Sequence, residues 1–239
     1  MLSAFPASWW PVFPDDIFVL ALKFRAGIPI MRVGSPCMHT RSKNLGLCNE
    51  LVDIWGDHAI VCRVGGHWFT RHGGLNQILI QAGRDAGYAV LAEQVVPDMT
   101  KINIAFDGSV SFEEARLDLE FFGHPVAPNM LLDGTIRHPA AKSMVRRASV
   151  EIGFAAEEGV RAKIKRYPPR NGKEVTACSM ETWGRFSETL DATLADLACL
   201  ASRRQRDRGI QPTKWLDKWR AQIICRLFCT SEELCWMNC

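Results

Sequence analysis

Apolar residues first settle into a helical period just after Pro14, where Asp15 serves as N-cap, Phe18, Ala21 and Leu22 share one stripe, and Gly27 supplies the stop. From Ile28 to Gly73 the period dissolves into Gly, Pro, Cys, His and short apolar runs, a stretch that needs something other than a core to hold it. Leu75, Ile78, Leu79, Ala82 and Ala86 then recur at helical spacing up to Gly87, predicting a helix over 74–86. Short β-type runs follow at 88–96, 116–122, 130–135 and 174–180, separated by turn residues. Between the third and fourth lies 141–167, rich in Ala, Glu, Lys and Arg and closed by Pro168-Pro169, which reads as a helix between strands. Leu190, Leu194, Leu197 and Ala201 stripe a helix over 187–206, and Trp215, Trp219, Ile223 and Leu227 a final one after a linker at 208–212. The order is thus helix, loop-rich module, α/β unit and helical tail, with no internal repeat.

Composition supports a folded chain. At 239 residues and 47% hydrophobic the sequence can fill a core, and 23% charged residues with a mean hydropathy of -0.05 exclude a disordered protein. No run of eighteen apolar residues exists to cross a bilayer. Met1 to Trp10 lack the charged and apolar regions of a secretory signal, so the nine cysteines are expected in a reducing compartment, where metal ligation outranks disulfides. Net charge is uneven: residues 137–226 hold 19 Lys/Arg against 10 Asp/Glu, whereas residues 1–136 hold 10 against 14. A basic segment of that kind suits a polyanion, because each neutralised phosphate releases counterions.

Of the nine cysteines, the early ones alone have histidines beside them. Cys37, Cys48, His58 and Cys62 place four soft or borderline ligands within 26 residues, a set suited to tetrahedral zinc. The first interval is longer than in short-spaced knuckles, so His39 is an alternative first ligand, and His67 or His72 an alternative later one.

Hard-ligand chemistry appears in the α/β unit. Alternation in Arg116-Leu117-Asp118-Leu119-Glu120 puts Asp118 and Glu120 on one strand face, and Asp133 ends the apolar run that begins at Met130. Two carboxylates at neighbouring strands suit Mg²⁺ bound together with a substrate phosphate, and Lys163, with Lys165 and Arg166 beside it, would offset charge in the transition state. On spacing alone the aspartates read better as turn formers, and the basic run as a solvated face.

A resemblance changes that balance. Gly56-Asp57-His58-Ala59-Ile60-Val61-Cys62, then Gly65-Gly66 and Arg71-His72, resemble the cysteine/histidine knuckle in the C-terminal regions of non-LTR retroelement reverse transcriptase proteins. Downstream, Arg116-Leu117-Asp118 is similar to the Arg-Pro-Asp strand of that family's PD-(D/E)XK endonuclease. Asp133-Gly134-Thr135 with His138-Pro139 is similar to its second acidic strand, and Lys163-Ile164-Lys165-Arg166-Tyr167 to its lysine displaced onto a helix. Met180-Glu181-Thr182-Trp183-Gly184 looks like its final core strand, and Leu20 to Pro29 like its early helix exit. Leu117 departs from the family's proline, and Thr135 stands where ordinary members keep their lysine, so activity rests on Lys163 entering the site.

The resemblance implies a mixed-sheet, restriction-endonuclease-like α/β core flanked by helices, with units at 1–36 (helical segment), 37–72 (zinc knuckle), 73–186 (nuclease core) and 187–239 (helical tail). It implies structural Zn²⁺ on Cys37, Cys48, His58 and Cys62, and catalytic Mg²⁺ or Mn²⁺ on Asp118 and Asp133, with Lys163 catalytic and Glu93 assisting from the first strand. Arg71, Arg116, Lys165 and Arg166 become nucleic-acid contacts. DNA is the expected partner, with RNA the other candidate, in an intracellular, nuclear setting without a membrane. Phe13-Pro14-Asp15-Asp16 mimics a polymerase motif but fits a helix cap better, so the reverse transcriptase domains would be missing partners and the chain a separated fragment or a relic. A catalytically inert nucleic-acid-binding module is the competing expectation.

Overall fold

A computed structural model describes residues 15–40, 46–62, 64, 67–205, 209 and 211–229. Pro14, Gly65-Gly66, Arg208 and Ile210 of the 208–212 linker, and Cys235 and Cys239 lie outside these, as does the first half of the polymerase-like motif. The elements run α1 (Asp15–Arg25), α2 (Asp57–Val61), α3 (His67–Ala86), β1 (Ala89–Val95), β2 (Lys101–Ile104), β3 (Val110–Glu113), β4 (Arg116–Phe122) and β5 (Met130–Arg137). After them come α4 (Val145–Ala148), α5 (Phe154–Arg166), β6 (Val175–Glu181), α6 (Glu188–Arg204) and α7 (Pro212–Cys229).

Four strands form one mixed sheet in the order β1-β4-β5-β6. The first three are antiparallel, and β6 lies parallel to β5 through the α5 crossover. Alternation sorts the side chains. Leu119, Phe121, Leu132, Cys178 and Met180 join one core with α1, α3, α6 and α7, while Thr135 and Ser179 face α5. Ile17, Leu20 and Phe24 of α1 and Trp215, Trp219 and Ile223 of α7 belong to that same core, so the N-terminal helix and the tail pack with the sheet. The chain is therefore an α/β protein whose mixed sheet is flanked by helices.

Three local differences from the sequence reading have physical causes. α3 begins seven residues before Gly74, its first turns holding through tertiary bonds from Arg71 and His72 despite two adjacent glycines that each cost about 1 kcal/mol of helix propensity. The expected helix over 141–167 is broken in two. Gly153 takes a left-handed φ of 81°, and the buried carboxylate of Glu181 accepts the N–H groups of Ala155 and Ala156, starting α5 there. The hairpin β2–β3 was not foreseen, although Asp107-Gly108 between Ile102-Asn103-Ile104 and Val110-Ser111-Phe112 is a turn signal between alternating runs.

Close helix-to-sheet approach depends on two glycines. A Cβ at Gly83 of α3 would meet the Phe121 ring at 2.6 Å, and one at Gly159 of α5 would meet Ser179 Oγ at 2.2 Å and Thr135 Cγ2 at 2.9 Å. Gly159→Ala is expected to destabilise the protein by about 1–3 kcal/mol through overpacking, despite alanine's better helix propensity. Gly73→Ala, where nothing lies within 4 Å, is expected to stabilise by roughly 0.5–1 kcal/mol. Denaturant midpoints of the two variants, moving in opposite directions, check this.

Candidate functional site

The loop-rich segment is a ribbon folded on itself. Isolated bridges pair Pro36 with Leu51 and Thr40 with Leu47, and the N–H groups of Cys37 and Cys48 bond the carbonyls of Glu50 and His39 at 2.7 and 2.8 Å. This brings Cys37 and Cys48 to α2, which starts where Asp53 accepts N–H bonds from Asp57 (3.0 Å) and His58 (2.7 Å). Burial would raise the Asp53 carboxyl, but those bonds outweigh it and hold it below the usual carboxylate range.

Cys37, Cys48, His58 and Cys62 then converge, their four ligand atoms all within 4.8 Å of one another. Cys37 Sγ lies 3.8 Å from Cys62 Sγ, and Cys48 Sγ 3.6 Å from His58 Nε2. A tetrahedron with Zn–S and Zn–N bonds of about 2.3 and 2.0 Å has S–S and S–N edges of about 3.8 and 3.5 Å, so this cluster could hold a metal such as zinc. Glu50 Oε2 stands 3.4 Å from His58 Nδ1, the outer carboxylate that orients a ligating imidazole. Burial raises both the Cys37 thiol and, to about 12, that of Cys62, so an incoming cation must displace protons. Among the alternative ligands, His39 gives its backbone carbonyl to Cys48 N–H and is not in the cluster, His72 serves elsewhere, and the His67 side chain lies outside the described residues.

Arg71 carries the link from this module to the sheet. Expected at a nucleic-acid surface, it is instead 5% exposed and donates to the Ile60 carbonyl at the end of α2. A second tie runs through His138, whose Nε2 lies 3.1 Å from Asp57 Oδ1 and whose Nδ1 lies 2.8 Å from Thr182 Oγ1.

One residue on from Arg71, His72 reaches a row of charged groups. The β4–β5 ladder pairs Leu119 with Leu132 and ends there, so the strands part at Asp118 and Asp133. In the gap Asp118 Oδ2 accepts the N–H of Gly134, and His72 Nε2 stands 3.1 Å from that same oxygen and 3.3 Å from the Gly134 carbonyl. The Asp118 and Asp133 carboxyls lie against each other, and Lys163 Nζ of α5 lies 2.7 Å from Asp133 Oδ2. The row thus reads His72, Asp118, Asp133, Lys163, with Asp133 3% exposed.

Electrostatics divides the two carboxyls. Burial would raise Asp118, but His72 and the Gly134 N–H outweigh it and lower it; His72 is correspondingly raised by its bond to Asp118 against the opposing effect of burial. Asp133 is pushed up to about 6, first by burial and then by its Asp118 neighbour, with Lys163 opposing. Because folding raises this carboxyl, its contribution to stability is complete below the ordinary carboxylate range and is lost as pH rises through about 6.

The remaining sequence-derived residues sit apart from the row. Glu93 occupies the register position opposite Asp118 but is exposed, in a left-handed conformation with φ of 55°, and no hydrogen bond or ion pair joins it to the row. Arg116 is exposed at the start of β4, Lys165 is exposed on α5, and Arg166 pairs with Glu113 of the hairpin at 3.1 Å and lies over the Tyr167 ring. His72 and Asn76 are the row's unforeseen neighbours. Their signal was a polar pair four residues apart on the buried flank that carries Leu75 and Leu79. No described helix is long and apolar enough to cross a membrane. No protein-family model and no curated protein matches the chain.

The purified chain is expected to carry about one zinc ion per molecule, lost in Cys48→Ser and His58→Ala and kept in His39→Ala. Metal content by plasma mass spectrometry, with limited proteolysis of residues 28–62 as a second readout, checks this.

Proposed function

We propose that the chain is the restriction-endonuclease-like, metal-dependent DNA-cutting region of a retroelement-derived reverse transcriptase protein, and that its Cys/His cluster is a zinc knuckle gripping nucleic acid beside the cut. One observation carries the reading: Asp118 and Asp133 meet at the fork of two neighbouring strands, and Lys163 reaches them from the following helix. The mixed sheet of β1, β4, β5 and β6 flanked by helices supports it, since the resemblance implies a core of that kind.

The displaced lysine has a structural rationale. Thr135 lies under Gly159, where a Cβ would already be too close, so a long side chain at 135 would collide with α5. A lysine one turn beyond Gly159, at 163, comes instead from the helix that the short residue admits.

In this reading Asp118 and Asp133 hold Mg²⁺ or Mn²⁺, which when bound supplies Lewis acidity and an activated water. Lys163 neutralises charge developing on the phosphodiester, and burial of the row strengthens that interaction by excluding water. Exposed Arg116 and Lys165, together with the stacked and exposed rings of Trp68 and Phe69 one turn before His72, offer phosphate and base contacts.

Supercoiled plasmid incubated with the protein and Mg²⁺ or Mn²⁺ is expected to be nicked. Lys163→Ala should slow nicking by about 10²–10³-fold and Asp133→Ala at least as much, with DNA binding retained in both. Salt-sensitive binding without any nicking by the wild type would favour the inert binding module. Because protons compete with the cation at Asp133, the metal concentration giving half-maximal nicking should fall as pH rises through about 6. Nicking measured across metal concentrations at each pH checks the sign.

A further inference from the structure

The acidic pair does not exhaust what surrounds the strand fork. His72 Nε2 faces two oxygens, Asp118 Oδ2 at 3.1 Å and the Gly134 carbonyl at 3.3 Å. Both are acceptors, so the space they share with the ring nitrogen suits only a positive species, either the imidazole's own proton or a metal ion. Two cis ligands of an octahedral ion with bonds of about 2.1 Å lie about 3.0 Å apart, close to both separations.

A third oxygen points the same way. Asn76, one turn along α3 from His72, is buried to 9% exposure, and its Oδ1 has no hydrogen-bond partner. A Cβ at Gly134 would sit 3.3 Å from that oxygen, 3.3 Å from Asp118 Oδ2 and 3.6 Å from His72 Nε2, so all three atoms border one small space that glycine keeps open. A buried acceptor without a donor is unfavourable, and a cation or its water would relieve it.

We infer that His72 is a direct ligand of the divalent ion held at Asp118, with the Gly134 carbonyl as an oxygen ligand and Asn76 Oδ1 facing the same ion or its water, and that the site takes Mn²⁺ in preference to Mg²⁺. The inference rests on the metal-dependent reading above and deepens it. Mg²⁺ favours an all-oxygen shell and keeps several waters, whereas an imidazole nitrogen is better met by a first-row transition ion. Mn²⁺ is the member of that series whose preference also covers carboxylate and carbonyl oxygens. Binding displaces the Nε2 proton to solvent, and the ring then presents its lone pair to the metal.

The test uses the zinc-loaded full chain and Mn²⁺ itself as probe. Mn²⁺ is titrated by paramagnetic resonance with Mg²⁺ as competitor, and pulsed spectra are read for nitrogen coupling from a single imidazole. Asp118→Asn identifies the signal that belongs to this site. Expected are nitrogen coupling in the wild type, its loss in His72→Ala, and a fall of about tenfold or more in Mn²⁺ affinity in that variant with a much smaller change for Mg²⁺. The wild-type spectrum needs no variant to fold, and thermal melts of His72→Ala show whether its loss of affinity reflects unfolding. Mn²⁺ bound at Asp118 without nitrogen coupling, or equal losses for both ions in folded His72→Ala, overturns the His72 ligand alone. Absence of any Mn²⁺ bound in an Asp118-dependent manner overturns the metal-dependent reading and this inference together.

Discussion

A backbone N–H left without a strand partner lies at the origin of the candidate site. Where β4 and β5 separate beyond Leu119 and Leu132, the N–H of Gly134 is buried and must be bonded. The Asp118 carboxylate bonds it, and that choice draws a negative charge into the protein, where desolvation costs several kcal/mol unless partners offset it. His72 is the partner on one side. On the other, Asp133 lies against Asp118 and is itself offset by Lys163. The row is thus two acidic groups flanked by two basic ones, built outward from one unsatisfied amide. It is balanced without an added cation yet retains a proton at Asp133 to about pH 6, which a divalent ion would displace.

Two helices deliver the outer members of the row from opposite faces of the sheet, and both are registered by glycine. Gly83 lets α3 rest on the Phe121 ring, and Gly159 lets α5 rest on Ser179 and Thr135. From Gly83 back to His72 is eleven residues, about three turns, so His72 returns to the sheet-facing side at the level of the fork. From Gly159 to Lys163 is four residues, about one turn and roughly 6 Å along the axis, with the same consequence for the ammonium. Side-chain chemistry at the site is therefore set by the distance of helix from sheet, a packing quantity fixed by residues that carry no chemistry themselves.

How far the sequence revealed this depended on whether the controlling interaction was local. β4 was bounded at Arg116–Phe122 because alternation states it directly, and the striped helices α6 and α7 emerged because their apolar faces pack on the core. The four Cys/His ligands were legible because ligand chemistry restricts residue type, but choosing Cys37 over His39 required the ribbon that pairs Pro36 with Leu51. Asp118, Asp133 and Lys163 became a group in the sequence through a resemblance; spacing alone left them as turn formers and a solvated face. His72 reads in the sequence as a spare zinc ligand because the helical period is lost from Ile28 to Gly73, and the bonds that carry α3 through its start go to Ile60, eleven residues before Arg71, and to Asp118, forty-six after His72. Arg71 was misplaced on the surface for the same reason: nothing nearby in the chain shows that a carbonyl at the end of α2 awaits it.

The second turn of α3 also joins the two candidate centres. Its two glycines remove about 2 kcal/mol of helix propensity, so the segment holds its shape through the bonds of Arg71 and His72. Arg71 bonds a carbonyl of α2, and α2 is short, capped at one end by Asp53 and carrying His58 of the metal cluster. A helix of five residues has little stability of its own, so whatever fixes His58 and Cys62 fixes Ile60 between them, and through Ile60 the position of Arg71. The imidazole that meets Asp118 is the next residue. A metal bound by the cluster would therefore brace one end of the charged row through covalently adjacent residues, while the His138 bridge from Asp57 to Thr182 ties the same small helix to the ends of β5 and β6. In this arrangement metal binding at the cluster and the orientation of His72 are coupled through Ile60 and Arg71.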